Sequence, residues 1–277
     1  RFERLHEARA ALREGVDVLG ERFELLGLRH VGDQGLETFD EIDSTILEAR
    51  RRAERNELGP VWLIARTQTA GRGRRGRTWA SLGGNLLATY LFATKRPPAE
   101  IALLSFATGL AIAEAIDEII GTGRATLKWP NDVLIGGAKV SGIMLDSGSL
   151  GDAGLWAALA FGVNLAVAPE NLDQSTTSLR TLLPPDAVAP EPLDFLASVR
   201  PKLDAWATRM DRDGFEPLRE AWLKRAHGLG RQARVVQGDQ TLEGRIVGLS
   251  SRGELELDTV TGRRLIAAGD VFLPNAV

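Results

Sequence analysis

Cysteine is absent from this 277-residue sequence. Disulfides and thiolate metal sites are therefore excluded. Histidine is nearly absent too. His6, His30 and His227 stand far apart and never at metal-ligand spacing, so no metal site is expected. An excess of positive charge is also missing. The 34 basic residues are outnumbered by 37 acidic ones, which argues against a surface that grips nucleic acid throughout. No apolar h-region stands in the first thirty residues, so the expectation is a cytoplasmic protein. The most apolar stretch, Ile101–Ile120, is interrupted by Glu114, Asp117 and Glu118 and followed by Gly121, so it is expected to be a buried helix and no membrane contact is expected. No repeat and no low-complexity tract occurs.

What is present suffices for one large core and a smaller one, with 44% hydrophobic residues. Residues 1–36 divide off as an N-terminal helical segment and linker. Leu5, Ala8, Leu12, Val16, Leu19, Phe23 and Leu26 recur at helical spacing, and six arginines balance six acids between Arg1 and His30. That balance differs from a basic recognition helix, so no DNA binding is expected. Residues 37–228 alternate between strand and helix patterns. Strands are expected at Phe39–Ile42, Val61–Arg66, Asn85–Phe92, Ala125–Trp129, Asp132–Ile135, Lys139–Asp146 and Leu155–Ala168. Helices are expected after a cap at Asp43 or Ser44, over Ile101–Ile120, Leu193–Met210 and Phe215–Ala226. Gly136-Gly137 marks a hairpin. Residues 229–277 change character, with five short strands punctuated by glycines, the pattern of a small β-barrel.

Three stretches carry chemistry. Gly71-Arg72-Gly73-Arg74-Arg75-Gly76-Arg77 packs four mutually repelling guanidiniums into seven residues. Glycines let such a loop approach a ligand closely, and guanidinium forks fit phosphate and carboxylate oxygens. The loop is expected to be mobile when empty and to order over an anion. Solvated charge and an RNA-binding Arg/Gly patch are the alternatives. Lys128-Trp129-Pro130-Asn131-Asp132 gathers a cation, an amide and a carboxylate at a strand end, although Pro-Asn-Asp also suits an ordinary turn. Lys139 opens the next strand, either turned to a ligand or to solvent, and Gly142 within it suggests close approach to the backbone. In Phe161-Gly162-Val163-Asn164, the polar Asn164 stands in an apolar strand and needs partners, which a purine edge or a neighbouring backbone would supply.

Together these segments resemble the biotin protein ligases. The resemblance rests on Asp43-Ser44-Thr45, Gln68-Thr69-Ala70 leading into GRGRRGR-T-W, Asn85-Leu86, KWPNDV, Lys139-x-x-Gly142-Ile143 and Gly162-Val163-Asn164, and it extends from about Glu37 to Leu273. It departs at Ile46, where Asn is common, and at Ser141, where a small apolar residue is common. The resemblance implies an α+β fold: a mixed sheet with packed helices, class II synthetase-like, plus a small C-terminal SH3-like β-barrel. It implies that ATP and biotin are substrates, with Mg²⁺, that biotinyl-AMP forms, and that biotin passes to a lysine of a carboxylase's biotin carboxyl carrier domain. Lys139, Asp132 and Arg74 would be catalytic. Ser44, Thr45, Gln68, Gly71, Arg72, Lys139 and Gly142 would hold biotin. Arg74, Arg75, Arg77, Trp79, Asn85, Lys128, Asn131 and Asn164 would hold the nucleotide. A lipoate-type acyl ligase of the same fold and a biotin-sensing repressor are the alternatives, and a homodimer is compatible with either assignment.

Overall fold

The computed structural model describes residues 35–170 and 174–273. The expected helix over Arg1–His30 lies outside the described residues. Seven strands form one sheet: β1 (Leu36–Ile42), β2 (Val61–Gln68), β3 (Leu86–Thr94), β4 (Ala125–Lys128), β5 (Asp132–Ile135), β6 (Ala138–Ser149) and β7 (Leu155–Val163). Their spatial order is β1-β2-β3-β7-β6-β5-β4. β1 and β2 run parallel, joined by helix α1 (Thr45–Glu54), and the remaining neighbours pair antiparallel, so the sheet is mixed as expected.

Apolar runs without polar alternation signal strands covered on both faces, and that is how β2 and β3 are used. Trp62 and Ile64 join Leu86, Tyr90 and Phe92 in a core packed by α2 (Pro98–Ile120) and α4 (Pro192–Asp213). Val61, Leu63 and Leu91 point the other way, onto Ile46, Ala49 and Ala53 of α1. α2 is long and apolar enough to cross a membrane by length and composition, yet most of it is buried inside this fold, as its embedded acids suggested. Short helices α3 (Leu179–Leu182) and α5 (Glu216–Lys224) complete the layer; α3 was not expected.

The expected Gly136-Gly137 turn joins β5 to β6, with φ of 58° and 83°. Opposite it the register shifts by one residue, so Val140 is extra on β6. This bulge matters. Residues three apart on a regular strand face opposite ways, and one inserted residue returns Lys139 to the face of Gly142.

The C-terminal strands β8 (Gln232–Gln237), β9 (Gln240–Leu249), β10 (Leu255–Thr259), β11 (Gly262–Ile266) and β12 (Asp270–Phe272) form one antiparallel sheet in the order β11-β10-β9-β8-β12. Its apolar face continues the main core through Val235, Ile246, Leu257 and Val271. The turn at Gly253 lies so close to Phe106 and Leu103 of α2 that a Cβ there would stand 2.8–3.0 Å from their rings and methyls. Trp129 Nε1 donates to the Gly253 carbonyl at 3.0 Å, tying the end of β4 to this sheet.

Candidate active site

A cavity of about 560 Å³ opens between the 71–80 loop, the β4–β5 turn, β6, β7 and β12. One end is built at the N-terminus of α1. Ser44 holds the N-cap position with extended backbone, but its side chain caps nothing, contrary to expectation. The cap comes from across the sheet. Gln68 Oε1 accepts the Thr45 N–H at 2.7 Å and the Thr45 hydroxyl at 3.1 Å. The helix's first orphan N–H is thereby satisfied, and the Ser44 hydroxyl is left to the cavity wall. Asp43 accepts from the Ser44 N–H and from both arms of Arg51, whose guanidinium holds its carboxyl below the usual range.

These contacts fix the polarity of the wall. A backbone N–H can only donate, so the atom of Gln68 that meets Thr45 must be its oxygen, and its NH₂ group faces the other way. The Thr45 hydroxyl has spent its one proton on Gln68 and offers a lone pair instead. A donor and an acceptor thus stand side by side at the cavity, the complement of an amide or urea edge. Gly71 lies behind this pair and does not line the cavity; a Cβ there would stand 2.5 Å from the Trp79 carbonyl and 3.2 Å from Gln68 Nε2.

The arginine loop is folded as a hairpin. Gly73 N–H bonds the Arg77 carbonyl at 2.8 Å and Trp79 N–H bonds Gly71 at 3.0 Å, closing a hairpin. A 3-10 turn at Arg74–Gly76 forms its tip, with Arg75 left-handed at φ 55°. The four guanidiniums separate. Arg72, Arg74 and Arg77 line the cavity. Arg74 donates to Asn131 Oδ1 at 3.0 Å, and burial lowers its pKa. Arg75 and Arg77 reach Oδ2 of Asp270 on β12, Arg75 at 2.9 Å. Arg75 does not line the cavity. The anion that these charges require is, for two of them, a carboxylate 195 and 193 residues away in sequence.

Trp79 lies flat on a patch of two paired glycines, Gly142 of β6 and Gly162 of β7. A Cβ on Gly142 would stand 3.0 Å from the indole, and one on Gly162 would overlap it. The Trp79 indole N–H is buried with no partner among the described residues. Lys139 Nζ sits 5.6 Å from the Trp79 ring centroid and 2.7 Å from Asp132 Oδ1, both side chains largely buried. Lys128 also lines the cavity, and burial pushes its ammonium below the usual lysine range.

Asn131 lines the cavity. It accepts from Arg74 and donates to the Ile143 carbonyl at 2.7 Å, so it braces the loop against β6. Asn164 lines the cavity with Nδ2 on the Thr177 carbonyl at 3.2 Å and Oδ1 buried without a partner among the described residues. A neighbouring backbone thus supplies one of its partners, which is one of the two expected readings, and the oxygen is left for the cavity. Asn85 is a correction. Its Oδ1 accepts the N–H groups of Leu165, Ala166 and Val167, and its Nδ2 donates to the Val167 carbonyl. These bonds shape the chain after Asn164, and Asn85 does not line the cavity. Asp270, Thr89, Ser81 (which accepts Gln68 N–H at 2.8 Å) and Gly162 were not singled out as site residues. Only Gly162 carried a local signal, as a glycine inside an apolar strand.

The chain is similar to proteins of a known family. Residues 39–156 match the Biotin/lipoate A/B protein ligase family, and residues 228–273 match the biotin protein ligase C-terminal domain. A biotin–[acetyl-CoA-carboxylase] ligase of Paracoccus denitrificans is 37% identical over 83% of this chain and 97% of its own length. One of Mycobacterium tuberculosis is 31% identical over 95% of this chain and 97% of its own. The biotin protein ligase of Aquifex aeolicus, solved in complex with biotin and ATP, superposes with a TM-score of 0.74 at 27% identity, covering 88% of this chain and all of that one.

Proposed function

Given that this chain belongs to the biotin protein ligase family and is a biotin ligase, we propose that it makes biotinyl-AMP from biotin and ATP and passes the biotinyl group to a lysine of a carboxylase's carrier domain. One observation carries the reading. The Thr45–Gln68 edge, Lys139 and Arg74 all line the same cavity, so a urea-bearing ring, a carboxylate and a phosphate can be held in one site.

In this reading the ureido carbonyl of biotin accepts from Gln68 NH₂, and a ureido N–H donates to the Thr45 oxygen, with Ser44 beside them. Biotin's tail runs along the cavity past Trp79 toward Lys139. Its carboxylate oxygen attacks the α-phosphorus of ATP and pyrophosphate departs. Two anions must meet for this, and Lys139, Arg72, Arg74 and Lys128 offset their repulsion. Asn164 Oδ1 suits the amino group of adenine. Mg²⁺ enters as the ATP complex. The described residues include no cluster of three acidic or histidine side chains that could hold a metal, and Asp132 and Asp270 are already ion-paired. Once Lys139 turns to phosphate, Asp132 is free to take a proton from the incoming lysine amine, whose nitrogen attacks the biotinyl carbonyl carbon as AMP leaves.

The family matched by residues 39–156 includes lipoate ligases, so both acids belong in the test. Incubation with ATP and labelled biotin should give an adenylate and then a labelled carrier domain. Lys139→Ala should cut adenylation on the order of a hundredfold, the scale of one transition-state charge contact. An adenylate formed only with lipoate would sink the reading. So would a Lys139→Ala variant of full activity.

A further inference from the structure

Thr89 stands in β3 on the face turned to α1, among Leu63, Leu91, Ala158 and Ala160. It is fully buried. Valine would fill that space with the same shape, so packing does not account for the hydroxyl. Its Oγ1 donates to Thr45 Oγ1 at 2.8 Å, and Thr45 in turn donates to Gln68 Oε1 at 3.1 Å. The three side chains form a directed chain from the interior of the sheet to the cavity wall, each hydroxyl passing its proton orientation to the next.

We infer that Thr89, which does not line the cavity, is a positioning residue for recognition of the substrate's urea ring: its hydroxyl pins Thr45 so that Thr45 presents an acceptor, and Gln68 a donor, to the cavity. A hydroxyl can accept as well as donate. Thr45 therefore becomes a reliable acceptor only when its proton has a fixed destination and its rotation is restrained. Gln68 supplies the destination and Thr89 the restraint. Without Thr89, the Thr45 oxygen loses a buried donor, and the side chain is free to turn its proton toward the cavity, where it would oppose a ureido N–H.

The inference rests on the biotin-ligase reading, and the test separates the two. Biotin and ATP dissociation constants are measured by calorimetry for the wild type, Thr89→Val, Thr89→Ser, Thr45→Val and the Thr45→Val/Thr89→Val pair. Thr89→Val should weaken biotin about five- to tenfold, the net worth of one hydrogen bond, and leave ATP binding unchanged. Desthiobiotin, which keeps the urea ring, should lose the same factor. Thr89→Ser keeps the hydroxyl and should bind biotin within about twofold of the wild type, which a packing role would not produce. In the Thr45→Val background the Thr89 substitution should cost nothing further. Unchanged biotin affinity in Thr89→Val, or a Thr89→Ser variant as weak as Thr89→Val, overturns the inference while the ligase reading stands. A wild type that binds no biotin overturns both.

Discussion

At the scale of the residue, the site depends on side chains that are not there. Gly142 and Gly162 face each other across β6 and β7, and the Trp79 indole rests where their Cβ atoms would be. Neither glycine has a positive φ, so the reason for glycine here is space and not backbone freedom. A methyl group on Gly162 would drive into the indole, and overpacking of this kind costs about 1–3 kcal/mol. Gly162→Ala is accordingly expected to lose stability in that range in urea unfolding and to lower adenylation. The assignment is checked by a second substitution. With Trp79→Ala already in place, Gly162→Ala should be nearly neutral for stability, because the colliding ring is gone. A penalty that persists in that background would place the clash elsewhere.

At the scale of the element, α4 contains an acid that its sequence pattern disguises. Leu203, Ala207 and Met210 mark its buried stripe, and Asp204 lies beside it. Burial raises the Asp204 carboxyl from 3.8 to about 6, with Arg200 pulling weakly the other way. The buried Tyr90 hydroxyl, raised by burial as well, feels both charges. A raised carboxyl pKa means that the folded state favours the protonated form. The stability it contributes is complete below pH 3.8 and is lost as pH rises through about 6. Asp204→Asn imitates the protonated group. It should reduce the difference in unfolding free energy between pH 4 and 6, the rest of which Asp211 carries with a carboxyl also raised to about 6, and leave the variant more stable than wild type near pH 7.5 by up to about 3 kcal/mol. A variant no more stable at pH 7.5 would remove Asp204 from this role.

The same scale shows how far a sequence can be read. The strands of both sheets were legible, because β2, β3 and β7 are near-continuous apolar runs and glycines bound the C-terminal strands, but β7 ends at Val163 and not at the expected Ala168, so Asn164 lies just beyond it. The bulge at Val140 was not legible, since one inserted residue leaves no mark in composition. Yet it is what brings Lys139 and Gly142 to one face. Polarity was legible only in part. Asn85 and Asn164 are both amides beside apolar strands, and only the backbone around Leu165–Val167 decides that Asn85 is structural while Asn164 keeps an oxygen for the cavity. α3 escaped because four residues give no period to detect.

At the scale of the whole molecule, the C-terminal sheet is joined to the catalytic sheet at three places of different character. Trp129 to Gly253 and Arg219 to the Leu249 carbonyl are anchors set in or beside the core. The third joins the functional loop itself, where Arg75 and Arg77 converge on Asp270. Arg77 is well exposed, and exposed pairs contribute only about 0.2–1 kcal/mol each. The sheet is therefore held by its core, whereas the loop is held on the sheet by contacts weak enough to exchange for a ligand's phosphates. Asp270→Asn keeps the shape of β12 and removes the charge. Trypsin reports the result directly, since four of the loop's residues are arginines. In the absence of ATP the variant should be cut within Arg72–Arg77 about three- to tenfold faster than the wild type, at an unchanged midpoint of global unfolding. High salt should speed cleavage of the wild type toward that of the variant, because screening acts on the same contacts. Saturating ATP should protect both alike if phosphates take over the arginines. Equal cleavage of the two proteins at low salt would mean that the hairpin's own backbone bonds, and not Asp270, keep the loop folded.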